Sequence, residues 1–283
     1  MDAAPYGQVE QAGLGVRRVL ARNPSPFTFT GTQTHIVGRG DVAVVDPGPD
    51  LAEHVEAILA ATAGERIAAI LVTHTHRDHS PAARTLKAAT GATVVGCAPL
   101  LPVASDTFSE AFDLDHAPDR VLADGDAVEG DGWTLRAIAT PGHMSNHLCF
   151  AYEEEAALFT GDHVMGWSTS VILPPDGSMA AYMASLAKLQ ARDDRIYYPA
   201  HGQQVDQPRK LVRGLIVHRR QREAQIVRAI DEAPATVAEL VEKLYVGLDE
   251  RLRPAAGASV LAHLIALAGE GRALGQNGLW RAA

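Results

Sequence analysis

Cysteine is scarce in this sequence, and its scarcity excludes a class of protein. The 283 residues include two cysteines, Cys97 and Cys149, which lie far apart and outside any CxxC pattern. Small secreted domains that depend on disulfides carry many cysteines at close spacing. A disulfide framework is therefore excluded, and the cysteine usage fits a reducing compartment.

The sequence also gives no sign of a signal peptide or of a membrane-spanning segment. Residues 1–6 show no basic stretch followed by an apolar run, so no signal peptide is expected. No apolar run approaches the roughly 18 to 20 residues that span a bilayer. From these absences we expect a cytoplasmic protein without a membrane segment.

The apolar content of 47% is that of a globular protein. Charge is spread unevenly along the chain. The net charge is −9, with −12 in residues 1–203 and +3 in residues 204–283. An acidic body followed by a mildly basic tail predicts two domains that divide between residues 203 and 204. The acidic body gives no electrostatic assistance to nucleic-acid binding, although bound dications would offset it locally.

Short β-rich segments separated by turns predict the architecture of the body. Residues 27–37 and 42–45 are expected to pair as antiparallel strands near a sheet edge, and residues 67–72 form a buried strand. Phe108 and Phe112, at helical spacing, predict a short helix over the core. Further strands are predicted at 92–95, 120–122, 133–139, 147–152, 156–160 and 195–199. Strand-rich halves, each closed by helices, predict two sheets packed face to face with helices outside.

A histidine-rich stretch, HTHRDH, follows the predicted strand that ends at residue 72. His74 and His76 share one face of an extended chain, because side chains alternate with period two. Asp78 and His79 come just after and can turn to a second point nearby. Histidine is the commonest metal ligand. The spacing therefore predicts two adjacent metal ions held by one loop, with a solvated histidine-rich loop as the alternative.

Three later strands also end in a residue of ligand type beside a glycine: His143, Asp162 and His201. Glycine lets the backbone turn sharply and approach a metal closely. A ligand at the end of a strand is held in place by a rigid sheet. Each residue alone would more often be an ordinary loop residue, but their recurrence in this order predicts that they join the histidine loop in one metal centre.

These motifs together resemble those of the metallo-β-lactamase superfamily. The resemblance rests on HTHRDH at 74–79, TPGH at 140–143, GD at 161–162 and PAHG at 199–202. It covers about residues 27–203. It implies a mixed α/β (α+β) fold in which the catalytic domain is a four-layer αββα sandwich.

The resemblance also implies a role for each motif residue. The ligands of one metal would be His74, His76 and His143, those of the second would be Asp78, His79 and His201, and Asp162 would bridge both. Two zinc ions are expected, with iron or manganese as alternatives. In the family, the enzymes that hydrolyse β-lactam antibiotics usually lack the bridging aspartate, and the oxygen-reducing diiron relatives usually have Glu at the position of His76. Both features favour a dinuclear hydrolase.

A dinuclear centre of this kind implies hydrolysis by a bridging hydroxide. Two dications about 3.5–4 Å apart hold such a water and polarise the group that is cleaved, and they lower the pKa of the water from about 15.7 towards 7. The hydroxide attacks a carbonyl or phosphorus centre. Asp78 and Asp162 are the predicted catalytic residues, and Asp78 is expected to pass a proton to the leaving group.

Other polar residues lie close to the motifs in the sequence. Asp46, in a DPG turn, is expected to orient a ligand histidine, as in relatives. His147 is predicted either to support a ligand histidine or to contact substrate. His163 is expected to point away from the metals, His35 to be structural, and residues 168–170 either to reach substrate or to cap a turn.

The tail, residues 204–283, has the pattern of helices followed by a hairpin. A long basic helix is predicted over 204–230, Thr236 and Glu239 form a capping box, and the Asn-Gly pair at 277–278 marks a hairpin. The pattern predicts a winged-helix-like domain. With this tail the chain resembles the β-lactamase-like protein 2 group, whose best-known member is an endoribonuclease. The small charge of the tail and its lack of an aromatic stacking set weaken the case for RNA binding, and packing or homodimerisation is the alternative role.

Three functional hypotheses follow. The first is cleavage of single-stranded RNA, because the resemblance extends through the tail. The second is hydrolysis of a small-molecule thioester or ester, as by hydroxyacylglutathione hydrolases or acyl-carrier thioesterases, and the acidic body favours it. The third is a non-catalytic DNA-binding protein whose metal core is structural or senses a ligand, and the complete ligand set argues against it.

Overall fold

The computed structural model describes residues 5–100 and 111–283, so Phe108, half of the predicted helix pair, lies outside the described residues. The chain separates into two compact units. The first contains described residues within 1–140, 146–168 and 193–208, and the second contains 141–145, 169–192 and 209–283. The chain thus enters the second unit three times. The domain boundary between residues 203 and 204 stays a prediction.

The first unit contains two β-sheets. Among the described residues, the larger sheet has seven strands in sequential order. They are β1 (Val9–Gly13), β2 (Val16–Leu20), β3 (Gln33–Arg39), β4 (Asp41–Val45), β5 (Arg66–Val72), β6 (Thr93–Gly96) and β7 (Arg120–Val121). β1 to β4 are antiparallel neighbours, and β4 to β7 are parallel neighbours. The parallel crossovers carry the helices α1 (Ala52–Ala61) and α2 (Ala82–Thr90), as parallel connections require.

The predicted position of the first strand pair is wrong. β3 begins at Gln33 rather than at residue 27, and β3 and β4 lie inside the sheet rather than near its edge. The reason is that β1 and β2 precede them and pair antiparallel with one another and with β3. β3 is buried at six of its seven positions, as expected for a strand with both faces covered.

The smaller sheet packs face to face with the larger one, as predicted. Its strands, in spatial order, are β12 (Ile196–Pro199), β11 (Ala157–Gly161), β10 (Leu148–Tyr152), β9 (Trp133–Ala139) and β8 (Ala127–Gly130). One apolar core joins side chains of both sheets, including Ile36 and Leu71 from one and Leu135 and Phe150 from the other. Trp133 lies in this core, and its Nε1–H donates to the Asp41 carbonyl oxygen at 2.8 Å.

The second unit is mainly helical and confirms the pattern predicted for the tail. Its helices are α3 (Met179–Gln190), α4 (Pro208–Glu232), α5 (Val237–Leu244) and α6 (Arg253–Gly269), followed by the hairpin of β14 (Ala273–Gln276) and β15 (Leu279–Ala282). β13 (Ala235–Thr236) pairs with β15. Thr236 and Glu239 form the predicted capping box at the start of α5.

The expectation that no segment has the length of a membrane span is wrong for one helix. Residues 250–269 have sufficient length and a mean hydropathy of 1.3. The small residues of this segment, chiefly alanine and glycine, hide its apolar character from a search for long aliphatic runs. Within the second unit, Val260, Leu264 and Leu267 of α6 lie in a shared apolar core. Burial in that core accounts for the apolar composition of the helix.

Trp133 offers a test of the sandwich core. We expect Trp133→Ala to lower the free energy of unfolding by about 3–5 kcal/mol, because it leaves a cavity between the sheets. Urea unfolding followed by circular dichroism measures this change. The control is Leu14→Ala at a position that is 85% exposed, where we expect a change within about 0.5 kcal/mol. Equal effects of the two substitutions would contradict the assigned core.

Candidate metal centre

The histidine loop is held at its start by one buried carboxylate. Asp46 directly follows β4, and its carboxylate accepts the backbone N–H and the hydroxyl of Thr73, each at 2.8 Å. Thr73 Oγ1 in turn lies 2.9 Å from Nδ1 of His74. Because the hydroxyl donates to Asp46, His74 donates its Nδ1–H to the hydroxyl. The Nε2 lone pair of His74 is therefore the one available to a metal.

Asp46 also contacts a second predicted ligand. Its Oδ2 lies 3.0 Å from Nδ1 of His79, which is fully buried. The prediction that Asp46 orients a ligand histidine is therefore matched by a direct contact. The same carboxylate orients His74 through Thr73, so that one buried acid orients a histidine in each half of the centre.

The structure brings all seven predicted ligands into two groups. In each group the candidate ligand atoms lie within 4.8 Å of one another. The first group consists of His74, His76, His143 and Asp162, and the second consists of Asp78, His79 and His201. The family resemblance implies the same division for the six residues other than Asp162, and their role as metal ligands stays a prediction.

Asp162 lies next to both groups. It belongs to the first, and its Oδ1 is 3.5 Å from Nε2 of His79 and 3.2 Å from Nε2 of His201 in the second. Its backbone N–H donates to Nε2 of His147 at 3.2 Å. The ring of His147 also lies 5.0 Å from that of His74, between centroids. His147 therefore supports a predicted ligand histidine, as one of its two predicted roles requires, and Asp162 as well. Asp162 thus lies within reach of both groups, and its role as a bridge between two metal ions stays a prediction.

His201 and His143 are oriented by backbone carbonyl groups. Nδ1 of His201 lies 3.2 Å from the carbonyl oxygen of Gly31, and Nδ1 of His143 lies 2.6 Å from that of Val171. With His74 and His79, four of the five predicted histidine ligands have Nδ1 against an oxygen acceptor. Each therefore offers Nε2 to the centre, which is the usual arrangement of metal-binding histidines.

Charge is concentrated in the second group. Burial acts to lower the pKa of His79, but neighbouring carboxylates outweigh burial and raise that pKa well above its ordinary value. Those carboxylates belong to Asp78, Asp162 and Asp46. Burial acts to raise the pKa of Asp78, yet His79 and His201 hold it well below its ordinary value. Buried carboxylates of this kind require nearby positive charge.

The donor set fits divalent metal ions. It combines imidazole nitrogens with carboxylate oxygens, which suits zinc and iron, and contains no thiolate. The imidazoles are pre-oriented, and the carboxylates supply the negative charge that a dication would balance. A divalent-metal centre is therefore what these residues can form.

Two supporting residues were not predicted to lie near the ligands: Gly166 gave no signal in the sequence, and Phe112 was noted only for its helical spacing. Gly166 N–H donates to the carbonyl oxygen of His201 at 2.9 Å. A Cβ at Gly166 would lie 1.8 Å from the carbonyl oxygen of Gln203, so the two backbones can approach only at glycine. The ring of Phe112 stacks on His76 at 5.4 Å between centroids. Gly166 lies four residues after Asp162, and no sequence pattern indicates that its backbone contacts His201.

His35 and His163 are buried outside the two ligand groups. The ring of His35 packs against Phe159 and Tyr198, and burial lowers its pKa to about 3. It is therefore a neutral core residue, as expected. His163 is fully buried and lies 5.9 Å from the ring of His147, outside both ligand groups.

Known proteins are similar to this chain in sequence and fold. A family model described as the metallo-beta-lactamase superfamily matches residues 28–201, and one described as the beta-lactamase associated winged helix domain matches residues 236–280. Lactamase-like protein ptaB of Pestalotiopsis fici is 31% identical over 264 residues, which cover 88% of this chain and 78% of the relative. Atrochrysone carboxyl ACP thioesterase AgnL7 of Paecilomyces divaricatus is 33% identical over 265 residues, with the same two coverages.

A solved structure shows the same fold over the whole chain. The crystal structure of a beta-lactamase domain protein from Burkholderia ambifaria superposes with a TM-score of 0.83 at 22% identity, and covers 100% of this chain and 96% of that one. Together with the family models, it confirms the predicted mixed α/β fold and the winged helix near the C-terminus.

Asp46 provides a test of the centre. We expect Asp46→Asn to weaken metal binding about 10- to 100-fold, because the amide cannot accept from Thr73 and His79 as the carboxylate does. Competition with a chromophoric chelator measures the affinity. The control is Asp113→Asn, since Asp113 is equally buried but accepts from Ser80 and Arg84. A normal affinity in the Asp46 variant would refute the orienting role.

Proposed function

The chain belongs to the metallo-β-lactamase superfamily and is a metal-dependent hydrolase, and we propose that it cleaves acyl thioesters carried by an acyl carrier protein. The observation that carries the hydrolytic part is the pair of ligand groups joined by Asp162. The thioester part is supported by relatives that carry the name of acyl carrier protein thioesterases. Zinc is the metal that we propose for both positions.

The relatives change the order of the functional hypotheses. RNA cleavage was the first expectation, and it rested on the tail. The names of the relatives support the thioesterase alternative instead. The negative charge of residues 1–203 points the same way, because a polyanionic substrate gains nothing from it.

An exposed aromatic pair beside His201 suits an acyl substrate. Phe29 and Trp167 stack with ring centroids 4.9 Å apart, and they are 43% and 38% exposed. Phe29 lies in the turn that ends at Gly31, whose carbonyl oxygen contacts His201. Trp167 follows Gly166, which also contacts His201. An apolar chain placed here would bury surface next to the predicted metals.

Asp162, His147 and Asp78 would have different roles in thioester hydrolysis. When bound, the metals supply an activated water and polarise the thioester carbonyl. Asp162, fixed through its backbone by His147, holds the two ligand groups together. Asp78 has one oxygen 3.1 Å from Nε2 of His201 and 26% of its side chain exposed, so it faces both the ligands and solvent. An ionised carboxylate here can accept a proton and return it to the leaving group.

A substrate panel tests the proposed function. We expect the zinc-loaded protein to hydrolyse acyl thioesters of pantetheine, and to favour longer acyl chains over acetyl because of the aromatic pair. Release of thiol is followed with a thiol-reactive dye, and single-stranded RNA is included as a competing substrate. Asp162→Ala is the blank and should lose nearly all activity. RNA cleavage without thioester cleavage would reverse the proposal.

Asp78 can be tested by comparing two leaving groups. A thiol has a pKa of about 8.5, far below the value of about 15.7 for water, so a thiolate leaves without full protonation. We expect Asp78→Asn to slow an oxygen ester at least tenfold more than the matching thioester. The ratio of the two rates within one variant does not depend on metal occupancy. An unchanged ratio would show that Asp78 does not deliver the proton.

A further inference from the structure

The contacts of His143 extend into the C-terminal part of the second unit. Nδ1 of His143 lies 2.6 Å from the carbonyl oxygen of Val171, which fixes the ring with Nε2 available as a ligand. The preceding carbonyl group, that of Ser170, accepts a hydrogen bond from a guanidinium N–H of Arg219 in α4. Two consecutive carbonyl groups thus connect the histidine with an arginine that is distant in sequence.

Arg219 is unusual for an arginine because it is buried. Its exposed fraction is 3%. Its guanidinium carbon lies 5.2 Å from the ring centroid of Tyr182, over the ring. A buried charge is costly unless partners such as dipoles and aromatic faces surround it. The Ser170 carbonyl and the Tyr182 ring serve in this way.

Tyr182 contacts the other side of the same motif. Gly142, directly before His143, has φ of +141°, and a Cβ there would lie 2.3 Å from Cα of Tyr182. The carbonyl oxygen of Gly142 also accepts the N–H of Ser178 at 2.9 Å. Tyr182 is fully buried, and the backbone of Gly142 packs directly against it. Arg219 contacts both the tyrosine and the loop that orients the histidine.

We propose that Arg219 is a positioning residue for the ligand His143. The guanidinium fixes the Ser170–Val171 loop, whose carbonyl oxygen sets the orientation of the imidazole. The inference rests on the proposed metal centre. The contacts that connect Arg219 with His143 all lie within the second unit.

The next arginine of α4 provides a matched control. Arg222 donates to the carbonyl oxygen of Leu244 at 2.9 Å and lies 4.0 Å from the ring centroid of Tyr245. It therefore makes the same two kinds of contact as Arg219, a backbone carbonyl and an aromatic ring. Its partners belong to the end of α5 rather than to the loop that orients His143.

The test compares Arg219→Met, Arg219→Lys and Arg222→Met. Each variant is first shown to be folded by circular dichroism and is then titrated with cobalt(II), whose visible spectrum reports on ligand geometry. We expect two equivalents in the wild type and in Arg222→Met. In Arg219→Met we expect one equivalent to bind about 10- to 100-fold more weakly, with an altered spectrum. Arg219→Lys should recover part of the affinity, because lysine can still donate to Ser170.

The outcomes separate this inference from the proposed function. Normal cobalt affinity and spectrum in Arg219→Met would overturn the positioning role while leaving the metal centre intact. Equal losses in Arg219→Met and Arg222→Met would also overturn it, because they would indicate general destabilisation. Failure of the wild type to bind cobalt would instead overturn both proposals. A second measurement avoids metal altogether: nitrogen NMR of the His143 ring should show the Nδ1–H tautomer in the wild type and a mixture in Arg219→Met.

Discussion

The buried carboxylate of Asp46 is the constraint on which the centre depends. It accepts the backbone N–H and the hydroxyl of Thr73 as well as contacting Nδ1 of His79. Three contacts at one acid fix the start of the histidine loop and the ring of a ligand near its end. Because the hydroxyl of Thr73 also meets His74, both ligand groups depend on the same buried charge. A metal centre whose ligands lie on a loop gains its geometry in this way.

Backbone strain accompanies this arrangement. Asp46 has φ of +48° and Phe29 has φ of +57°, a region that residues other than glycine rarely adopt. Such a conformation costs on the order of 1–3 kcal/mol and persists only where surrounding contacts enforce it. At Asp46 the enforcing contacts are its own hydrogen bonds. Phe29 lies in the turn that ends at Gly31, which contacts His201. Both strained residues therefore adjoin ligands.

The ligands could be predicted from sequence, whereas much of their support could not. The candidate ligands within residues 74–79, and those at the later strand ends, are histidine and aspartate side chains that directly follow predicted strands. The groups that orient His143 and His201 are backbone carbonyls of Val171 and Gly31, and every residue has such a group. β1 and β2 were missed for a related reason, since five-residue strands with polar residues at several positions carry a weak alternating pattern. The carbonyl oxygens of Val171 and Gly31 orient histidines only because the fold places them beside the imidazole rings.

The position of Arg219 in the sequence indicates that it is buried. Among the basic residues of α4 it resembles a solvated charge, as most helix arginines are. Yet it lies four residues after Leu215 and seven before Ile226, on the apolar face of the helix, and all three are buried. A cation in register with an apolar stripe must find a partner inside the protein. Its partner is the Ser170 carbonyl group, in the loop that orients His143.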